Sequence, residues 1–252
     1  MDALLDGEPA PAGALPLPRS VELGSIGVAA ARERAGTAEG LFVAVKAGHN
    51  GQHHNHLDLG AVEIAVDGVP AVVDPGRPTY DGRTFSPRRY ELWPMRSEWH
   101  STLRPRGLDQ EPGQQWTATL DGGDDGSHAA WRIDLSDAYP LTEVERLTRE
   151  VSLDRTTATV TVRDRWRLDG GRETSSVLVL HGEVTAEPGA LVVRPPGARA
   201  LRVRHDADRL EIIERALDDP MLVAAWGARL TRVELVAAAD RDGLDLQVQV
   251  VA

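Results

Sequence analysis

Apolar and polar residues alternate with period two along most of the chain, the signature of strands with one buried and one wet face. Such runs cover residues 41–45, 61–66, 158–168, 176–180, 191–194, 200–204, 210–213, 229–236 and 244–250. Within 159–168, Val160, Val162, Trp166 and Leu168 share one face, and Thr and Arg residues take the other. Pro-Pro-Gly, Asp-Ala-Asp and Asp-Arg-Asp-Gly segments separate the later runs and read as turns. No long helical period is present; residues 29–34 fit either a short helical turn or a glycine-flanked strand. The pattern predicts an all-β fold, a large antiparallel β-sandwich over residues 19–252. Residues 1–18, broken by Pro9, Pro11, Pro16 and Pro18, read as an entry linker.

A length of 252 residues accommodates one large all-β unit or two small domains, and 41% hydrophobic with 27% charged residues is ordinary for a folded chain. The absence of Cys excludes disulfides, thiolate metal sites and Cys nucleophiles, so any metal must be held by His, Asp or Glu. A net charge of −11 argues against a general nucleic-acid binder. No apolar run is long enough to cross a membrane as a helix, and the first residues lack the basic start and apolar run of a secretory signal.

Chemistry concentrates in residues 48–60, where four of the eight histidines (His49, His53, His54 and His56) fall within eight positions. If residues 54–58 are extended, His54, His56 and Asp58 project from one face, suiting a Zn-type cation or an acid/base pair. A polar loop is the plain alternative. The Asp67-Gly68 pair marks a hairpin turn ahead of residues 69–73, and the return strand ends at Asp74. A strict two-residue hairpin pairs Ala61 with Asp74, leaving His56 about 16 Å farther along an extended chain. His56 and Asp74 can therefore share an ion only if residues 57–60 bend back, with a bulge near Gly60.

Residues 77–106 hold seven Arg and three acids, a local +4 that leaves −15 on the remainder. Arg77, Arg83, Arg88 and Arg89 with Trp93 offer forks for carboxylate or sulfate and a ring for stacking, as an anionic sugar needs. The alternative is that these Arg pair with the acidic remainder. Two further alternatives are calcium binding at residues 121–126 and a cupin-like barrel opened by His54 and His56. Glu63 stands too far from His56, and on the wrong strand parity, for the latter.

The segment His-Asn-Gly-Gln-His-His-Asn-His-Leu-Asp-Leu-Gly, then Val-Val-Asp-Pro-Gly, Phe-Ser-Pro-Arg-Arg-Tyr-Glu-Leu-Trp, Ser-Glu-Trp-His-Ser-Thr and Gln110, resembles the heparinase II/III-like polysaccharide lyases over residues 41–115. In that family a helical toroid precedes a C-terminal β-sandwich, and uronate-containing glycans are cleaved by β-elimination between them; this chain resembles the second half. The resemblance implies a catalytic role for His54 and a structural zinc on His56, Asp74 and His100. Tyr80 and Tyr90 are the hydroxyls near the loop. The family's His-Asn-Thr stands here as His100-Ser101-Thr102, losing an amide, and its principal Tyr acid/base and carboxylate-neutralising Asn or His lie in the toroid. The implied partners are an anionic uronate polysaccharide and a helical toroid domain or chain; the implied compartment is the cell envelope, periplasm or exterior. A non-catalytic sandwich that binds anionic carbohydrate is the rival reading.

Overall fold

A computed structural model describes residues 17–251, so the linker expected over 1–18 lies outside the described residues except for Leu17 and Pro18. Strands dominate, and they form two nine-stranded antiparallel sheets. The first sheet runs from Ser20–Leu23 through Val28–Arg32, Leu41–Lys46, Val62–Val66 and Val69–Val72 to Thr174–Leu180, Arg229–Ala237 and Arg209–Ala216, with Leu103–Arg104 beside Thr174–Leu180. The second follows the order Glu183–Glu187, Ala190–Arg194, Leu201–His205, Gly243–Val250, Thr159–Leu168, Val144–Asp154, His128–Asp134, Gly113–Asp124 and Gly48–Asn50. Each period-two run listed above is a strand with ends shifted by at most three residues, and of residues 29–34 the first four lie in strand Val28–Arg32 while Glu33 and Arg34 lie beyond its end.

Alternation explains the sandwich. Leu41, Val43 and Val45 from one sheet and Leu147, Val151, Val160 and Val162 from the other enter one continuous core. Thr174–Leu180 is buried on both faces. Its Leu178 and Leu180 point into that core, while Val177 and Val179 join Val73, Trp99 and Leu230 in a smaller outer one. This outer core fastens an irregular segment onto the first sheet. The segment contains three short 3-10 helices, Pro87–Glu91, Trp93–Met95 and Ser97–Trp99.

Sequence patterning misses the α-helix Pro220–Trp226, although its signals are present: Pro220 occupies the first turn, and the Asp219 carboxylate accepts from the Met221 and Leu222 N–H groups. Asp219 also accepts from the Thr79 N–H at 2.9 Å, and the Trp226 indole donates to the Pro75 carbonyl at 2.8 Å. The helix thus holds the segment that follows Asp74. Residues 121–126 do not form a cation loop, because most lie in strand Gly113–Asp124. The Asp124 carboxylate is held by Arg155 at 2.7 and 2.8 Å, and Asp125 accepts from the N–H groups of Ser127 and His128. Among the described residues no helix is long and apolar enough to cross a membrane.

Candidate metal centre and the loop around it

Asp67 and Gly68 take φ of 53° and 80°, which the tight hairpin turn requires, and the hairpin forms where predicted. Its bulge lies between Ile64 and Ala65 rather than at Gly60. The bend that returns His56 toward Asp74 is nevertheless at Gly60. There the Ala61 N–H donates to the Asp58 carbonyl, the Gly60 N–H donates to the Lys46 carbonyl, and Gly60 has φ 78°. A Cβ at this glycine would stand 2.8 Å from Leu135 Cδ1.

The extended reading of residues 54–58 is corrected by the structure. His54 has φ 58° and sits in a turn, and residues 51–61 contain no strand. Asp58 does not join the histidines, because its carboxylate accepts from Lys46 Nζ at 2.5 Å. A polar loop, rather than a strand face, presents the cluster.

His56, Asp74 and His100 do converge. His56 Nδ1 lies 3.7 Å from Asp74 Oδ1, His100 Nδ1 lies 3.2 Å from Asp74 Oδ2, and one donor atom from each residue lies within 4.8 Å of the others. The two imidazole rings are 5.3 Å apart. Burial would favour neutral forms of both Asp74 and His100. Their attraction prevails: His100 and His56 hold the Asp74 carboxyl well below the usual range, and Asp74 raises His100.

His100 is completely buried, yet neither of its ring nitrogens has a hydrogen bond of acceptable geometry. A buried imidazole without hydrogen bonds is costly unless something else takes its lone pair. Two imidazoles and a carboxylate at this spacing fit a divalent ion of the zinc class, one donor short of a closed tetrahedral site.

Backbone around these ligands is held from across the sandwich. Arg149, fully buried on the second sheet, donates Nε and Nη2 to Asp164 at 2.7 and 2.8 Å. Its Nη1 donates to the carbonyls of Gly60 and Ser101 at 2.9 and 2.8 Å, and Nη2 also reaches Ser176 Oγ at 2.8 Å. All five guanidinium N–H groups are thereby used. Gln110 works from another side: its Nε2 donates to the Leu59 carbonyl, and its Oε1 accepts from the Leu59 N–H and from Asn50 Nδ2. The Gln110 amide also meets Tyr139, whose hydroxyl is pushed up to about 12 by burial.

The residues expected to act on substrate fall into two groups. His54 is exposed, with its ring 5.4 Å from Phe85 and edge-on to it; Phe85 in turn stacks edge-on with Tyr80 at 5.1 Å, and the Arg77 guanidinium lies 4.9 Å from the Tyr80 ring. His54, Phe85, Tyr80 and Arg77 therefore form one contiguous surface group.

The remaining residues are engaged with the protein. Arg89 donates to the carbonyls of His54, Asn55 and Thr84 at 2.8 to 2.9 Å. Arg83 pairs with Asp81, and Arg88 pairs through both Nε and Nη2 with Glu91. Trp93 packs edge-on against Trp99 at 4.9 Å beneath Arg215 at 4.4 Å. Tyr90 is half-buried; burial raises its hydroxyl, with the neighbouring Asn55 amide pulling the other way.

Sequence reasoning gave no role to Phe85, Arg149, Asp164 or Tyr139. For Asp164 the signal was available, since its parity places a carboxylate among Val160, Val162 and Trp166. An acid on an apolar face demands a buried partner.

The fold of this sandwich has solved counterparts. The heparinase III BT4657 gene product matches with a TM-score of 0.74 at 15% identity, over 95% of this chain and 37% of that one. The heparan sulfate lyase HepC from Pedobacter heparinus matches with a TM-score of 0.70 at 17% identity, over 92% and 36%. The chain thus spans just over a third of the length of these proteins. No curated protein sequence matches it. The family model for the heparinase II/III-like C-terminal region matches residues 15–236, and the chain belongs to that family.

Proposed function

We propose that this chain is the sandwich portion of a lyase that cleaves uronate-containing polysaccharides by β-elimination, with a zinc site at its centre. The observation that carries the reading is the convergence of His56, Asp74 and His100 around a buried imidazole without hydrogen bonds.

Elimination requires a neutralised carboxylate that acidifies the C5 proton, a base to remove that proton, and an acid for the departing glycosidic oxygen. His54 is proposed as one of these groups. It is solvent-accessible, and an imidazole can take or give a proton near neutral pH. A well-placed acid or base contributes roughly 10²- to 10⁴-fold in rate. Tyr80 is linked to His54 through Phe85, and Arg77 beside it supplies a cation for the uronate carboxylate. Tyr90 is the second proposed hydroxyl, and Arg83, Arg88 and Trp93 are secondary contacts. Arg89 acts as a positioning residue, because it fixes the backbone on which His54 stands.

Zinc, held by His56, Asp74 and His100, would supply a further cross-link between the three ligand segments. His56 is two residues from His54, so the same cross-link steadies the acid/base loop. The proposed partner is a helical toroid that completes the cleft.

The test is the absorbance of unsaturated uronate on incubation with a panel of uronate polymers, with and without a helical partner domain. The account expects product that disappears in His54→Ala while zinc is retained. Saturable binding of the polymers with no product in any mixture would instead favour a carbohydrate-binding domain without catalysis.

A further inference from the structure

We infer a second anion site, remote from the histidine loop, in which Arg106 and Arg172 bind a sulfate-type oxyanion. The site is a cavity of about 510 Å³ at the end of strand Thr174–Leu180, lined by Arg106, Arg172, Arg209, Glu173, Thr174 and Glu234 among others. Thr174 lies five residues from Val179, whose N–H bonds Ser101 Oγ beside His100, so the two sites are about 17 Å apart along the strand.

Charge accounting within the cavity singles out two cations. Glu173 is paired with Arg209 at 2.6 Å. Glu234 is neutralised by Arg104 at 3.2 Å and Arg232 at 2.5 Å and accepts from Ser175 Oγ. Arg106 and Arg172 have no carboxylate partner among the described residues. Arg106 Nε and Nη2 are shielded from solvent, yet neither finds an acceptor. Buried guanidinium N–H groups ordinarily find one, and an oxyanion matches their fork.

Backbone conformation points the same way. Arg106 is held at φ 54°, ψ 24°, in the left-handed region where Gly or Asn would be less strained. A large side chain kept in a strained conformation, lining a cavity and with two of its donors unpaired, points to a site rather than a turn. The Arg106 N–H is meanwhile fixed by donation to Thr174 Oγ1 at 3.3 Å. Arg172, exposed two residues before strand Thr174–Leu180, also lines the cavity and supplies the second charge.

The oxyanion can be a free inorganic ion or the sulfate of a bound glycan, and the experiment separates these sources. Inorganic sulfate, a sulfated uronate oligosaccharide and its desulfated counterpart would each be titrated into the full chain at constant ionic strength. The readouts are the Arg106 Nε–H resonance and calorimetry. The inference expects a saturable shift of that resonance with sulfate, and an affinity lowered roughly tenfold or more in Arg172→Gln, an exposed change that leaves the core alone. Arg106→Gly should abolish binding too, and it cannot fail through backbone strain because it relieves that strain.

Tighter binding of the sulfated than of the desulfated oligosaccharide, by a margin lost in both variants, assigns the site to glycan. Equal binding of sulfate alone assigns it to a free ion. An unmoved Arg106 resonance, or identical sulfate affinity in the parent and both variants, overturns the inference.

Discussion

Arg149 and Asp164 form a completely buried, two-pronged ion pair on neighbouring strands of one sheet, and the rest of the Arg149 guanidinium holds the backbone carbonyls of Gly60 and Ser101. Gly60 follows His56 by four residues and Ser101 follows His100 by one. A single side chain thus links the sandwich interior to two of the three candidate ligand loops. Removing one partner of a buried pair strands the other charge and typically costs about 3–5 kcal/mol. Arg149→Met should therefore lose stability on that scale in urea unfolding, and Arg149→Met with Asp164→Leu should recover part of it. Full parent stability in the single variant would show that the pair does not restrain these loops.

Gly60 permits the turn that carries His56 to Asp74. Alanine there meets Leu135 Cδ1 at 2.8 Å and Thr102 Oγ1 at 3.0 Å in a positive-φ conformation. Gly60→Ala should cost about 2 kcal/mol or more and weaken metal retention together with stability. Thermal melts and elemental analysis of the same preparation check both effects.

The neighbouring arginines Arg88 and Arg89 should behave differently despite their shared charge. Arg88 makes an exposed pair with Glu91, and Arg88→Ala should leave the melting temperature unchanged. Arg89 satisfies three backbone carbonyls, so Arg89→Ala should cost about 1–3 kcal/mol. If His54 acts on substrate, Arg89→Ala should also lower kcat more than it raises KM and shift the pH profile of turnover. A purely structural Arg89 would lower stability and leave that profile in place.

Acid stability has an identifiable contributor away from the histidines. Burial alone would raise the Asp124 carboxyl, but hydrogen bonds from Arg155, the Gly126 N–H and Ser20 hold it at about 2, below its ordinary 3.8. A depressed carboxylate stabilises the fold above its unfolded value and loses that contribution as pH falls through the folded one. The parent should therefore lose stability between pH 4 and pH 2 more steeply than Asp124→Asn, which lacks this titration. Parallel urea midpoints for the two proteins over that interval would exclude the contribution.

Many strands were legible because period two survives where one face is wet: Thr159–Leu168 could be read almost to the residue, whereas His128–Asp134, Val144–Asp154 and Glu183–Glu187 were not read. Gly113–Asp124 was not, since its Asp-Gly-Gly-Asp end has turn composition, and pairing with His128–Asp134 overrides that preference. Histidine spacing identified the loop but not its shape. An extended His54 to Asp58 fits the sequence, whereas the left-handed His54 and the Lys46–Asp58 pair depend on tertiary neighbours. Residues 56, 74 and 100 could be grouped only through resemblance, because their meeting depends on a bend at Gly60 and on an outer core built by Val73, Trp99, Val177 and Val179. The arginine-rich segment illustrates the limit of composition. Arg83 and Arg88 pair with neighbouring acids and Arg89 holds backbone, whereas Arg77 lies against Tyr80.

Zinc content of the purified chain, measured alongside its melting temperature for the parent, His56→Ala, Asp74→Asn, His100→Ala and the triple variant, addresses the proposed centre most directly. About one zinc per chain is expected in the parent, falling with melting temperature in each single variant and to background in the triple. Equal metal in the parent and the triple variant would contradict the assignment.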